Sequence, residues 1–275
     1  MKYAVVLGFL IAFSGTNLAA QSTKDSLKPK MKMVKEVLYR VEHGELKNRA
    51  DLFGSKLTTY IIYDKNEEII EYVQYKTDGA VYEKTTYERN EKGDAQKGIT
   101  KNASGEIISY WIYECDSKEN LIEVKTYDAE NNLTEIQSNK NDENGNIIEI
   151  LLKSPESEKG WRYVYKYNSD NKKIEELSFK PDGSLKDRRM YSYDKHGNEN
   201  TVIKFYPDGE FVKKVYEYDT MNNLIIENTF DKHGKLRRQT SFEYLYDDYG
   251  NWITNKRSAD GELNMVYERQ IEYHE

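Results

Sequence analysis

The stretch Tyr193-Asp194-Lys195-His196-Gly197-Asn198, with Tyr206-Pro207-Asp208-Gly209 and then Tyr218-Asp219 after it, decides how this chain is read. It contains two turn signals about 13 residues apart, with strand-like segments between them. Moving outward in both directions, an Asp or Asn opens the first kind of turn at Asp64, Asn90, Asp116, Asp142, Asn168, Asp194, Asp219 and Asp247. The spacing is 26 residues five times, then 25, then 28. A Tyr precedes it at Tyr63, Tyr167, Tyr193, Tyr218 and Tyr246. The second turn recurs at Lys76-Thr-Asp-Gly79, Asn102-Ala-Ser-Gly105, Lys180-Pro-Asp-Gly183, Tyr206-Pro-Asp-Gly209 and Ser258-Ala-Asp-Gly261. In two units it takes the wording of the first, as Asp128-Ala-Glu-Asn131 and Asp231-Lys-His-Gly234.

The chemistry of these turns is specific. Pro181 and Pro207 hold φ at about −65° just before the Asp, which excludes a type I′ turn there. A type I turn with its fourth residue in the left-handed region fits both kinds, giving a three-residue hairpin with a bulge. Ten of the 16 glycines fall in that slot, and Asn131, Asn171 and Asn222 take it elsewhere. Glu67 and Glu119 fit the slot poorly, so those two turns are expected to differ.

Removing the turns leaves segments of about nine residues, an ordinary strand length. Arg162-Tyr-Val-Tyr-Lys-Tyr167 alternates, placing Tyr163, Tyr165 and Tyr167 on one face. The expectation is an all-β fold: an antiparallel β-hairpin meander repeat array of about 26 residues per two-strand unit. Residues 34–275 would hold roughly 18 strands, more than an open twisted sheet carries before curling or splitting. The array should therefore coil, curve or close, and the reading settles on a coiled or curved sheet. Tyr outnumbers Phe by 24 to 8 and apolar residues are only 37%, which argues for a thin sheet with aromatic rows on one face and Lys, Glu and Thr on the other.

Residues 1–20 read as a signal peptide: Lys2, the apolar run Ala4 to Phe13, and small residues before Gln21. The run is too short for a transmembrane anchor. Residues 21–33 read as a flexible linker, 34–59 as a divergent first unit or N-cap, and 60–275 as the array proper. The net charge of −7 with interspersed signs speaks against nucleic acid as a ligand. Cys115 is the lone cysteine and stands where other units have Tyr, which marks it as a small strand residue.

No catalytic residue, cofactor site or metal site is expected. The four histidines lack metal-ligand spacing, and the acidic turns lack the alternating ligands of a calcium loop. The candidate ligand-binding residues are Trp161, Tyr165, Tyr191, Tyr216 and Trp252, rigid amphipathic rings suited to a protein or carbohydrate partner. Trp161 follows the loop Ser154-Pro-Glu-Ser-Glu-Lys-Gly160, where the turn pattern breaks.

The recurring Tyr-Asp-x-x-Gly-Asn, followed by a strand and x-x-Asp-Gly, resembles the YD repeat of the RHS family over roughly residues 60–275. That resemblance implies a long sheet winding into a spiral or shell, with roles in export and in carbohydrate or surface binding. The unit here is longer than the usual YD repeat, and the repeat runs to Tyr273, so the toxin role of large family members is not carried over. The expected function is an exported, non-enzymatic repeat protein that binds or scaffolds a cell-surface protein or glycan, in the periplasm, at the outer surface or outside the cell. The alternatives are a structural envelope or secretion-associated component, and a glycan-acting hydrolase.

Overall fold

The computed structural model describes residues 29–42, 45–48, 58–76 and 78–275. The expected signal peptide at 1–20 and most of the expected linker lie outside them. The strands are β1 (Met31–Glu42), β2 (Glu45–Asn48), β3 (Thr58–Tyr63), β4 (Ile69–Tyr75), β5 (Val81–Arg89) and β6 (Ala95–Asn102). They continue with β7 (Ile107–Cys115), β8 (Leu121–Asp128), β9 (Leu133–Asn141), β10 (Ile147–Lys153), β11 (Trp161–Tyr167) and β12 (Lys173–Phe179). The last are β13 (Leu185–Tyr193), β14 (Glu199–Phe205), β15 (Phe211–Tyr218), β16 (Leu224–Phe230), β17 (Leu236–Tyr246), β18 (Trp252–Ala259) and β19 (Glu262–Tyr273). Every pairing is antiparallel, and the described residues contain no helix.

The sheet closes, where the sequence reading settled on a coiled or curved one. β1 pairs with β19 from Met31 to Arg40 along one edge. Along its other edge it pairs with β3 from Met33 to Val37 and, further on, with β2 from Tyr39 to Glu42. Since β2 and β3 share one side of β1, the wall is 18 strands wide. Met31 to Met33, expected as linker, therefore belong to the strand that seals the barrel, and the divergent first unit supplies the seam. Closure removes both exposed sheet edges.

Bulges supply the bend. The register shifts beside nearly every turn, as between Ser192 and Tyr193 or between Ser178 and Phe179, and each shift adds local twist. Followed once around, the pairings return to β1 about 20 residues out of step, which for 18 strands means a tilt of about 40° and a width of roughly 30 Å. Strands pack against their sheet neighbours rather than across the barrel. At 18 strands a closed barrel is wide enough to enclose a channel.

The turns confirm the bulged type I reading. Asp194 N–H bonds the Asn198 carbonyl at 2.8 Å, and Gly197 N–H bonds the Asp194 carbonyl at 3.1 Å. Asp194 Oδ1 accepts from the N–H groups of His196 and Asn198 at 2.8 and 2.9 Å, so one carboxylate oxygen satisfies two turn donors. Two expectations need correcting. Glu67 and Glu119 adopt φ of 62° and 66° and form the same turn as their Gly and Asn counterparts, because the Asp clamp outweighs the modest cost of a left-handed Glu. The last hairpin differs: Ala259 pairs with Glu262 across only two residues, Asp260 and Gly261, both at positive φ, a type I′ turn.

Candidate functional site

The two faces of the wall carry different chemistry. Register places Tyr72, Tyr87, Tyr113, Tyr165, Tyr191, Tyr216 and Tyr244 on one face. Burial pushes all seven phenols upward, Tyr113 and Tyr244 to about 12. The two most buried side chains, Asp187 and Thr240, and the buried Thr85, Thr100, Gln137, Glu176 and Ser178 share this face, which marks it as the concave side, so this face lines the lumen.

The outer face is laced with ion pairs in one repeating slot. Glu71 meets Lys84 at 2.5 Å, Glu123 meets Lys125 at 2.5 Å, Glu149 meets Lys140 and Arg162 at 2.6 and 3.1 Å, and Glu175 meets Lys166 and Arg188 at 2.6 Å each. Hydrogen bonds from Lys140 and Lys166 lead the effects that hold Glu149 and Glu175 below the ordinary carboxylate range. A lipid-facing wall needs an apolar band about 25 Å tall, and a Lys or Arg at the bilayer midplane costs about 2–4 kcal/mol.

The Tyr-Asp motif itself is structural. Tyr167, Tyr193 and Tyr218 hydroxyls donate to the carbonyls of Ile147, Lys173 and Glu199 at 2.8, 2.6 and 2.7 Å, each reaching the preceding unit. Those acceptors lie five residues after the preceding turn Asp or Asn, next to a bulge. Arg89 and Asn141 fill the same slot and bond Ile69 and Leu121 carbonyls at 2.8 and 3.0 Å. The 28-residue spacing before Asp247 shifts the task to Tyr244, which bonds the Leu224 carbonyl at 2.9 Å.

The lumenal wall from β11 to β16 holds the densest charge network. Glu176, buried, receives Lys173 Nζ at 2.8 Å and the Tyr191 hydroxyl at 3.0 Å, with Arg189 at 3.2 Å. Burial pushes its carboxyl up, but Lys173, Arg189 and Tyr191 together hold it below the usual range. Asp187 is 1% exposed and sits 3.3 Å from both Arg189 and Lys204. Lys173 also lies between two rings, 5.3 Å from Tyr165 and 4.5 Å from Tyr191. Lys214 and Glu227 extend the network at 2.8 Å. Among the described residues no group of His, Cys, Asp or Glu could hold a metal ion.

Of the expected site residues, Tyr165, Tyr191 and Tyr216 come together on this patch, at one height on alternate strands. Trp161 shares their face but lies four residues down β11 from Tyr165, about 13 Å away, with Lys186 4.7 Å over its ring. Trp252 stands on β18, covered by Arg269 at 3.4 Å and edged by Tyr244. It belongs to the seam of the barrel, where Arg269 also bonds Glu36 at 2.8 Å. Sequence reasoning missed Lys173, Glu176, Asp187, Arg189 and Lys204. The usable signal was parity for Asp187 and Arg189, which share the face of Tyr191 on β13, whereas Lys173 lies an odd number of residues from Glu176 and stands at the register shift beside Tyr167. Cys115 is exposed, and burial pushes its thiol up, away from the thiolate.

No family model and no curated protein matches the sequence. Among solved structures, the chain is similar to a porin-like protein from Bacteroides uniformis ATCC 8492 at 9% identity and a TM-score of 0.45, covering 89% of this chain and 98% of that one. A porin-like protein from Bacteroides vulgatus ATCC 8482 matches at 11% identity and a TM-score of 0.33, over 90% of this chain and 99% of that one. A Tc holotoxin pore from Photorhabdus luminescens matches at 12% identity and a TM-score of 0.18, over 73% of this chain and 15% of that one. Likenesses this distant fix neither family nor activity.

Proposed function

We propose that this chain is an exported, non-enzymatic barrel that stands in water and binds glycan along its lumenal wall. The observation that carries the reading is the row of Tyr165, Tyr191 and Tyr216 set among Lys173, Glu176 and Arg189. Flat rings offer stacking area at little entropic cost, and the fixed charges around them offer hydrogen bonds to hydroxyl groups. The ion-paired outer face supports a location in an aqueous compartment beyond the inner membrane. On the same reading the Tyr-Asp units are relatives of YD repeats, used here to clamp one unit to the next.

Glycan-array binding followed by calorimetry tests this. The protein should bind at least one oligosaccharide class, and Tyr165→Ala with Tyr216→Ala should weaken binding at least tenfold while circular dichroism stays that of a β-sheet. Unchanged affinity in that folded variant would refute the lumenal site. A protein recovered in the membrane pellet after alkaline carbonate washing would refute the aqueous location.

A further inference from the structure

The half of the lumenal wall away from the charged patch carries an aromatic arrangement built on a glycine. Gly98 lies inside β6, directly opposite Trp111 of β7. A Cβ on Gly98 would sit 2.1 Å from Trp111 Cζ2, 2.2 Å from Cε2 and 2.7 Å from Nε1. Because the ring-fusion carbon is nearer than the nitrogen, the indole lies across the strand rather than pointing an edge at it. Only glycine leaves room for that. Trp111 Nε1 donates to the Tyr113 hydroxyl at 2.6 Å, and Tyr87 meets the indole edge-on at 6.2 Å. One indole face is thus seated on the wall, its rotation is fixed, and the other face is turned to the lumen.

The surroundings select the ligand. The lumenal side chains on the flanking strands include Thr85 and Thr100, bonded to each other at 3.0 Å, and Gln137 and Asn139, bonded at 2.9 Å. Glu135 of β9 is a carboxylate on this part of the wall, and burial pushes it up. Arg89, a cation on β5, is engaged at the rim by the carbonyls of Gly93 and Ile69 at 2.8 Å each and by Glu68 at 3.4 Å. An anionic sugar would meet the Glu135 carboxylate and a cation already engaged, whereas a neutral sugar meets a flat ring bordered by amides and hydroxyls.

We propose that Trp111, seated on Gly98 and braced by Tyr87 and Tyr113, is a stacking platform for the ring of a neutral sugar. This rests on the glycan reading above and adds a second, chemically distinct position on the lumenal wall. The test uses the whole protein with cellohexaose, maltohexaose and xylohexaose as neutral probes and hexagalacturonate as the acidic one. Indole N–H signals of the three tryptophans are followed by NMR, with Trp111→Phe assigning the one of interest. At least one neutral probe should move the Trp111 signal more than those of Trp161 and Trp252, and hexagalacturonate should bind at least tenfold more weakly. Gly98→Ala, which lifts the indole off the wall, and Trp111→Ala should each weaken the neutral probe at least tenfold. A Trp111 signal unmoved at saturation overturns the platform, whether or not the variants fold. If binding then falls in the Tyr165→Ala, Tyr216→Ala protein, the lumenal glycan reading survives alone; if no saccharide binds the unaltered protein, both fail.

Discussion

Two stretches of the lumenal wall can be compared position by position, because the 26-residue register carries over from unit to unit. The height held by Glu176 is held by Tyr72, Gly98, Val124 and Ile150 in the preceding four units, and that of Arg189 by Thr85, Trp111, Gln137 and Tyr163. The height of Tyr191 stays Tyr87, Tyr113 and Tyr165 but becomes Asn139 in one unit. One stretch is therefore held by buried ion pairs, the other by neutral hydrogen bonds and rings. The repeat fixes rim and turns, and leaves the lumenal heights free to differ.

The largest expected difference lies in stability. Asp187→Ala leaves Arg189 and Lys204 facing each other without their shared carboxylate. Breaking a buried pair is costly, but both cations keep some solvent, so a loss of about 2–3 kcal/mol is expected in urea unfolding. The matched change in the neutral stretch, Thr85→Val with Thr100→Val, removes both partners of a bond at once and should cost less than about 1 kcal/mol. Equal losses would erase the distinction.

Acid should separate the halves further. A carboxylate held below its unfolded value stabilises the fold above that value and loses this contribution as pH falls through the folded one. Glu176 is such a group. Burial, opposed by Lys173 and reinforced by Glu176, pushes the Glu199 carboxyl up, so its contribution has the opposite slope and the fold gains as Glu199 takes a proton. Thermal melts between pH 7 and 3 should show a flatter acid limb for Glu176→Gln, and a protein stabilised near pH 7 for Glu199→Gln. Parallel profiles for both variants and the unaltered protein would contradict the assignment.

Smaller effects concern the rim shared by both stretches. Tyr193→Phe removes one hydroxyl from the Lys173 carbonyl and should cost about 1 kcal/mol in chemical unfolding. Cys115 occupies the same slot without a group able to reach back, so Cys115→Tyr should gain up to about 0.5 kcal/mol by installing the missing clamp. A Tyr193→Phe protein as stable as the original would show that the clamp contributes nothing.

The turns made the architecture legible: Pro207 before Asp208, and Gly or Asn at most left-handed positions, dictated hairpins, and alternation put Tyr165 and Tyr191 on one face. Closure was not legible, because it depends on Val34 and Glu36 of β1 finding Ile271 and Arg269 of β19, contacts more than 200 residues apart with no local signature. The charged patch was hidden for a related reason. Glu176 and Arg189 look like any surface pair in an acidic, Lys-rich sequence until curvature decides which face is inside. An aromatic in the Tyr165 row and one at the seam, such as Trp252, read alike in the sequence.

Closure is what makes the tyrosine face a lumen, and it can be measured at the seam. Val37 of β1 pairs with Glu268 of β19; with Cys115→Ser as background, Val37→Cys and Glu268→Cys place two thiols opposite each other across the join. Mild oxidation should give a monomeric, intramolecularly crosslinked protein with the circular dichroism and glycan binding of the reduced form. Thiols that stay free, or that link only between molecules, would mean that the first and last strands do not meet and that the array is an open coil.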